Sequence, residues 1–153
     1  MELIVNNLSK RFGEKLILDH LSFSMQSGDF MALVGSSGSG KSTILRLIAG
    51  LDQPSSGSIT VDGTPVSGPG PDRGMVFQKY SLYPWLNAAE NVAFGMRLQR
   101  MKAGEIKERT AYFLEVVGLS DAATKLPREL SGGMQQRVAI ARALATNLSL
   151  IHI

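Results

Sequence analysis

The sequence predicts an α/β fold, and three observations carry that expectation. Leu21, Phe23 and Met25 alternate with Ser22, Ser24 and Gln26, the period of a half-exposed strand. Phe30-Met31-Ala32-Leu33-Val34 is apolar on both faces, as a central parallel strand is. A glycine-rich loop follows it, and then Ile44, Leu47, Ile48 and Leu51 at the i, i+3, i+4, i+7 spacing of a helix with one buried face. From about Ala88 the pattern turns helical as well.

Taken in order, the first 34 residues read as strands, with Ser27-Gly28-Asp29 as a turn signal. Residues 52–71 are rich in Asp, Pro, Ser and Gly around one short strand at 58–61, and Asp62-Gly63 reads as a hairpin turn leading to Val66. Gly74-Met75-Val76-Phe77-Gln78 reads as another strand. Ile106, Thr110, Phe113, Leu114 and Val117 form one helical stripe, for which Gly118 suits the C-terminus. Pro127 breaks the next short segment. Ser131 then caps a helix running to about Ala145. From Val138 that helix is apolar nearly all round, apart from Arg142, and should be buried. The pattern is a strand-rich start, an α/β core and a helical insert at about 82–128, with no internal repeat.

The composition narrows the class. At 153 residues the chain is one domain's worth, and 44% hydrophobic with 19% charged residues reads as globular. Cysteine is absent, which excludes disulfides, thiolate metal sites and cysteine nucleophiles. The longest apolar run, residues 30–34, is far too short to span a bilayer. Residues 1–6 lack a basic stretch followed by an apolar one, so no secretory signal is visible and membrane association would come through a partner. The net charge of +3 matches the local excess of Arg97, Arg100, Lys102, Lys107 and Arg109 over Glu105 and Glu108. A nucleic-acid face would want aromatic residues interleaved with such charges, and none are there. A solvated helix with Glu105 and Arg109 paired at i, i+4 is the better reading. His20 and His152 have no partners at metal or catalytic spacing and read as structural or surface residues. The seven methionines are scattered and read as core filler.

Two motifs carry chemistry. In Gly35-Ser36-Ser37-Gly38-Ser39-Gly40-Lys41-Ser42, continuing into Thr43, the glycines let successive backbone N–H groups turn around a polyphosphate without Cβ clashes. The helix that follows points its positive end at the phosphates. Lys41 can reach the β- and γ-phosphates and Ser42 can ligate Mg²⁺. In Leu130-Ser131-Gly132-Gly133-Met134-Gln135-Gln136-Arg137, small residues at a helix N-terminus offer a hydroxyl and exposed N–H groups to a second anion.

With both motifs present, residues 1–147 resemble the ATP-binding subunits of ABC transporters. In that family the second motif closes over the γ-phosphate of ATP held by the opposite subunit. The resemblance assigns Ser131, Gly132, Gly133 and Gln135 to that contact; Met134 stands where the commonest form has Gln. It makes Phe12 the aromatic that stacks on adenine. It makes Gln78 the glutamine that touches Mg²⁺ and the attacking water and senses the membrane partner. Residues 78–96, with Tyr83, Pro84 and Trp85, are similar to importers of the nitrate, sulfonate and taurine type, where they grip the transmembrane permease. An exposed aromatic patch agrees with that.

The resemblance therefore implies a P-loop NTPase core with an N-terminal antiparallel β region and a helical subdomain. It implies the ATP- and Mg²⁺-dependent subunit of an importer for a small anion, peripheral on the inner, cytoplasmic face of the cell membrane. A second ATP-binding subunit and a permease would be its direct partners, and a periplasmic or lipid-anchored binding protein an indirect one. The family also has an Asp-Glu pair after a further apolar strand. Here Leu148-Ser149-Leu150-Ile151-His152-Ile153 stands before the position of that pair, so the fold is expected to be incomplete at the C-terminus and hydrolysis absent. These six residues are also what a transposon-end sequencing adapter encodes, which implies a non-native tail after Asn147. The alternatives are a nucleotide-binding chain without turnover and an ABC ATPase that serves no transporter.

Overall fold

A computed structural model describes residues 1–70, 72–77, 81–146 and, for the backbone alone, 150–152. The chain divides into two compact units, Met1–Arg73 and Gly74–Ile153.

The first unit is built on a long antiparallel hairpin. β1 (Glu2–Phe12) and β2 (Lys15–Gln26) pair from Glu2↔Gln26 to Phe12↔Lys15. The register shifts between Val5 and Leu8, and Asn7 and His20 both take left-handed backbone angles, each with φ of 46°. Two serine hydroxyls take up amides there: Ser22 Oγ accepts from the Asn7 N–H at 2.8 Å and Ser9 Oγ from the His20 N–H at 3.0 Å. β3 (Ser56–Val61) pairs with the other edge of β1, and β4 (Thr64–Pro65) returns on β3, giving the sheet order β2-β1-β3-β4. Asp62 and Gly63 both have positive φ, 48° and 74°, as the expected two-residue hairpin turn requires. Leu21, Phe23 and Met25 are half-buried and the serines between them exposed, the alternation read in the sequence. The unit buries Leu3, Val5, Leu8, Ile59 and Val61 from the sheet and Ile44, Leu47 and Ile48 from α1 (Lys41–Ile48).

Three expectations are corrected here. Residues 30–34 form no strand, and Phe30 and Val34 are 94% and 93% exposed. A central parallel strand exists only through hydrogen bonds to neighbours on both sides, and among the described residues no strand lies alongside this one. Leu51 lies past the end of α1 and is exposed, because the chain leaves the helix at Ala49. Met31 is exposed rather than core, sharing the fate of its segment.

The second unit is helical. α2 (Ala88–Leu98), α3 (Ala103–Val116) and α4 (Gly132–Ala145) enclose one core of Val92, Met96, Leu114, Leu119, Val138 and Ala141 with their neighbours. β5 (Arg73–Met75) pairs with β6 (Leu150–His152); β5 is shorter than expected, since Val76 and Phe77 fall outside it. α2 opens with a reciprocal cap: Asn87 Oδ1 accepts from the Glu90 N–H at 2.8 Å and Glu90 Oε2 from the Asn87 N–H at 2.9 Å. α3 ends at Gly118, whose φ of 65° lets Gly118 N–H reach Glu115 O and Leu119 N–H reach Leu114 O. Ile106, Phe113 and Val117 are half-buried beside buried Thr110 and Leu114, so the expected stripe is the one that packs. No described helix is long and apolar enough to cross a membrane.

One buried amide organises the segment before α2. Asn91 is fully buried; its Oδ1 accepts from Tyr83 N–H at 2.8 Å, and its Nδ2 donates to the carbonyls of Tyr83, Leu86 and Asn87 at 3.2, 2.9 and 3.0 Å. Removing the amide strands backbone groups that water cannot reach. We expect Asn91→Ala to lower stability by about 3 kcal/mol, measured as a shift in the urea midpoint by circular dichroism at unchanged m-value. An unshifted midpoint would show that the segment holds without it.

Candidate functional site

The glycine loop runs from Gly35 into the first turn of α1. Lys41 is the first residue of that helix, and its Nζ donates to the carbonyls of Gly35 and Ser36 at 2.8 and 2.7 Å, with Ser39 Oγ at 3.4 Å. Ser39 N–H bonds back to Ser36 O and Ile44 N–H to Gly40 O, so the loop closes on itself and hands over to the helix. Gly40 is required twice. Its φ is 92°, and a Cβ there would stand 2.8 Å from Leu18 Cδ2 and 3.2 Å from Ile17 Cγ2 on β2. At Gly35 a Cβ would stand 2.8 Å from Ser39 Oγ.

The first turn of α1 holds no acidic side chain, so nothing on the helix neutralises its positive end. Its leading N–H groups lack helical acceptors, as at every helix start. Ser36, Ser37, Gly38 and Ser39 are exposed, as is Ser42; Thr43 is half-buried. A cation, free amides and a hydroxyl at one loop fit an anion with several oxygens. The Ser42 hydroxyl is a hard oxygen, the kind of donor that Mg²⁺ prefers. At the far end of α1, Arg46 makes two bonds to Asp52, at 2.7 and 3.1 Å. The hydrogen bond holds the Asp52 carboxyl below its usual range and raises the guanidinium.

Phe12 closes β1 with its ring half-exposed, and Lys10 Nζ lies 4.9 Å from the ring centroid. Gln78, with Lys79 and Tyr80, lies outside the described residues. His20 is an exposed side chain bonded to Asp19 at 2.6 Å, a surface role as expected.

The second motif belongs to the helical unit. Ser131 is the N-cap of α4, its Oγ accepting from the Met134 N–H at 3.3 Å, and Gly132 and Gly133 form the first turn. Ser131 and Gly133 are exposed, a Cβ at Gly133 would meet nothing within 4 Å, and the turn carries no acid. Gln135 Nε2 donates to Pro127 O and Leu130 O at 2.9 and 3.1 Å, pinning the loop that precedes the cap.

The aromatic segment is more exposed than a core would be. Trp85 is 71% exposed, and Tyr83 stacks between it and Phe94 at centroid distances of 5.6 and 4.3 Å. Arg142, the polar exception on α4, donates to Ser81 O at 2.8 Å and Ser81 Oγ at 3.0 Å and lies 5.7 Å from the Tyr83 ring centroid. Burial lowers its pKa from the ordinary arginine value. In the sequence Arg142 stands out only as an interruption of an apolar helix, with no local sign of what it holds. Arg109 likewise donates from Nε to Ala145 O at 3.1 Å, tying α3 to the end of α4. Among the described residues no cluster of three or more His, Asp or Glu could hold a metal unaided.

Residues 18–153 match the model of the ABC transporter family. The chain is 52% identical over 149 residues to the nitrate import ATP-binding protein NrtD of Synechocystis, covering 95% of this chain and 56% of that protein. It is 48% identical to the taurine import ATP-binding protein TauB of Sinorhizobium fredii, covering 86% and 49%. With the sulfate/thiosulfate import ATP-binding protein CysA of Mycobacterium tuberculosis the identity is 46%, covering 95% and 42%. The chain thus spans about half the length of the curated relatives it matches. Among solved structures, the ATP-binding cassette MJ0796, dimeric, post-hydrolysis and bound to ADP and Pi, aligns with a TM-score of 0.85 at 35% identity, over 97% of this chain and 72% of that one. A phosphate-type loop leading into a helix, a serine-glycine cap on a second helix and this breadth of similarity together establish that the chain belongs to the ABC transporter family of ATP-binding proteins.

Proposed function

We propose that the chain is the nucleotide-binding part of the ATPase of an importer for a small oxyanion or sulfonate, of the nitrate, taurine or sulfate kind. The observation that carries the binding role is Lys41, gathered by the carbonyls of Gly35 and Ser36 at the positive start of α1. In this reading Gly35, Ser36, Ser37, Gly38, Ser39, Gly40 and Thr43 wrap the phosphates. Lys41 neutralises their charge, Ser42 and Gln78 hold Mg²⁺, and Phe12 stacks on adenine. ATP brings the β–γ anhydride bond whose cleavage the family couples to transport.

Ser131, Gly132 and Gly133 then meet the ATP of a second subunit, with Gln135 holding the loop that presents them. The segment 78–96 meets the permease, and the names of the relatives support that partner class. The exposed Trp85 and half-buried Tyr83 supply the apolar contact. Such a subunit works on the cytoplasmic face of the membrane, with the helical subdomain at about 82–128 as its partner-facing part.

Turnover by these 153 residues is proposed to be slow. Each candidate carboxylate is engaged elsewhere: Asp52 with Arg46, Asp62 in a hairpin turn, Asp72 with Arg73, and Glu129 accepting from the Leu126 N–H. Among the described residues no carboxylate is hydrogen-bonded to the phosphate loop, and a positioned base contributes about 10²–10⁴-fold.

Three measurements test this. Lys41→Ala should weaken ATP binding by calorimetry at least tenfold; unchanged affinity would refute the phosphate-loop reading. Ser131→Arg should leave that affinity intact and abolish ATP-driven self-association in sedimentation, since a bulky cation fills the second anion site. Persistent dimers would remove Ser131 from the contact. Phosphate release with MgATP should not exceed that of the Lys41→Ala chain, and a Lys41-dependent turnover of about 1 s⁻¹, ordinary for an enzyme, would show that a base exists here.

A further inference from the structure

Lys10 is not used by the phosphate loop, yet its ammonium has both a carbonyl acceptor and an aromatic neighbour. Its Nζ donates to Gln53 O at 2.5 Å, and Gln53 Nε2 in turn donates to Ser67 O at 2.8 Å. The same stretch braces the end of β1: Ser55 N–H donates to Ser9 O at 2.9 Å, and Arg11 N–H donates to Ser55 Oγ at 3.0 Å. So tethered, the ammonium lies over the Phe12 ring, 4.9 Å from its centroid. Phe12 is 52% exposed, so the lysine leaves part of the residue open to solvent.

A free phenylalanine at a strand end would turn about χ1 and χ2, and a base stacking on it would have to stop that motion. A cation fixed on one face removes the cost in advance, because the attraction depends on the ring keeping its plane towards the charge. The geometry points to Lys10 as a positioning residue for the nucleotide base: it holds one face of Phe12 so that the other is presented to adenine. This rests on the reading of Phe12 as the base-stacking residue.

The test compares ATP with inorganic tripolyphosphate, which has the phosphates but no base, on the full 153-residue chain by calorimetry. Lys10→Met keeps most of the stem and removes the charge. It should weaken ATP about threefold to fivefold and leave tripolyphosphate within a factor of two; Lys10→Arg should restore ATP affinity. Phe12→Ala should weaken ATP about tenfold, again without effect on tripolyphosphate. If Phe12→Ala leaves ATP unchanged, the stacking reading falls and the role of Lys10 with it. If Phe12→Ala weakens ATP but Lys10→Met does not, the stacking reading stands and this inference is overturned. Equal weakening of ATP and tripolyphosphate by Lys10→Met would overturn it in favour of a charge effect on the phosphates. Should Lys10→Met unfold the chain, as melting would reveal, Lys10→Gln serves with the same expectations.

Discussion

The left-handed turn at Gly40 is the constraint on which the phosphate loop depends. It brings the chain against Leu18 and Ile17 of β2 closely enough that even a methyl group would collide. At the same point it starts α1, so Lys41 takes its place at the head of a helix and over the loop's own carbonyls. A β-carbon there would do more than weaken a turn, for it would move the lysine, the free amides and the Ser42 hydroxyl together. The hairpin of β1 and β2 is thus both the scaffold of the unit and the wall that requires glycine at position 40.

The helical unit is held by two polar side chains, Asn91 fully buried and Arg142 half-buried. Asn91 and Arg142 reach from the two helices to backbone that would otherwise be loose, one to residues 83–87 and the other to Ser81. Each of these groups is costly to bury and satisfied only in one arrangement. Together they hold the backbone of a segment in which Tyr83 is half-buried and Trp85 exposed. Arg142 stands on the helix that Ser131 caps, so the aromatic segment is bonded to the same helix that carries the serine-glycine turn.

Most of the architecture was legible because it rests on local signals. The alternation at Leu21, Phe23 and Met25, the turn at Asp62-Gly63, the close at Gly118 and the cap at Ser131 each depend on a few neighbouring residues, and each is where it was expected. Residues 30–34 mark the limit: residue type says that they want burial, but burial is supplied by other strands. At the site, Lys41 and its loop were readable since their chemistry is written in one stretch. Lys10 and Gln53 are 43 positions apart and Arg142 and Ser81 are 61 apart, and no period links either pair. The Asn87/Glu90 cap is a local signal too, since Asn-x-x-Glu is a recognisable helix start.

The exposure of Trp85 has a spectroscopic consequence. It is the single tryptophan of the chain, so excitation near 295 nm addresses one indole only. Standing 71% open to water, that indole should emit at the red end of the usual range and be reached by iodide or acrylamide. Loss of quenching together with a blue shift would then report cover placed on the 81–98 region itself. Any ligand or partner that binds elsewhere and leaves this region unchanged would be optically silent in the same experiment.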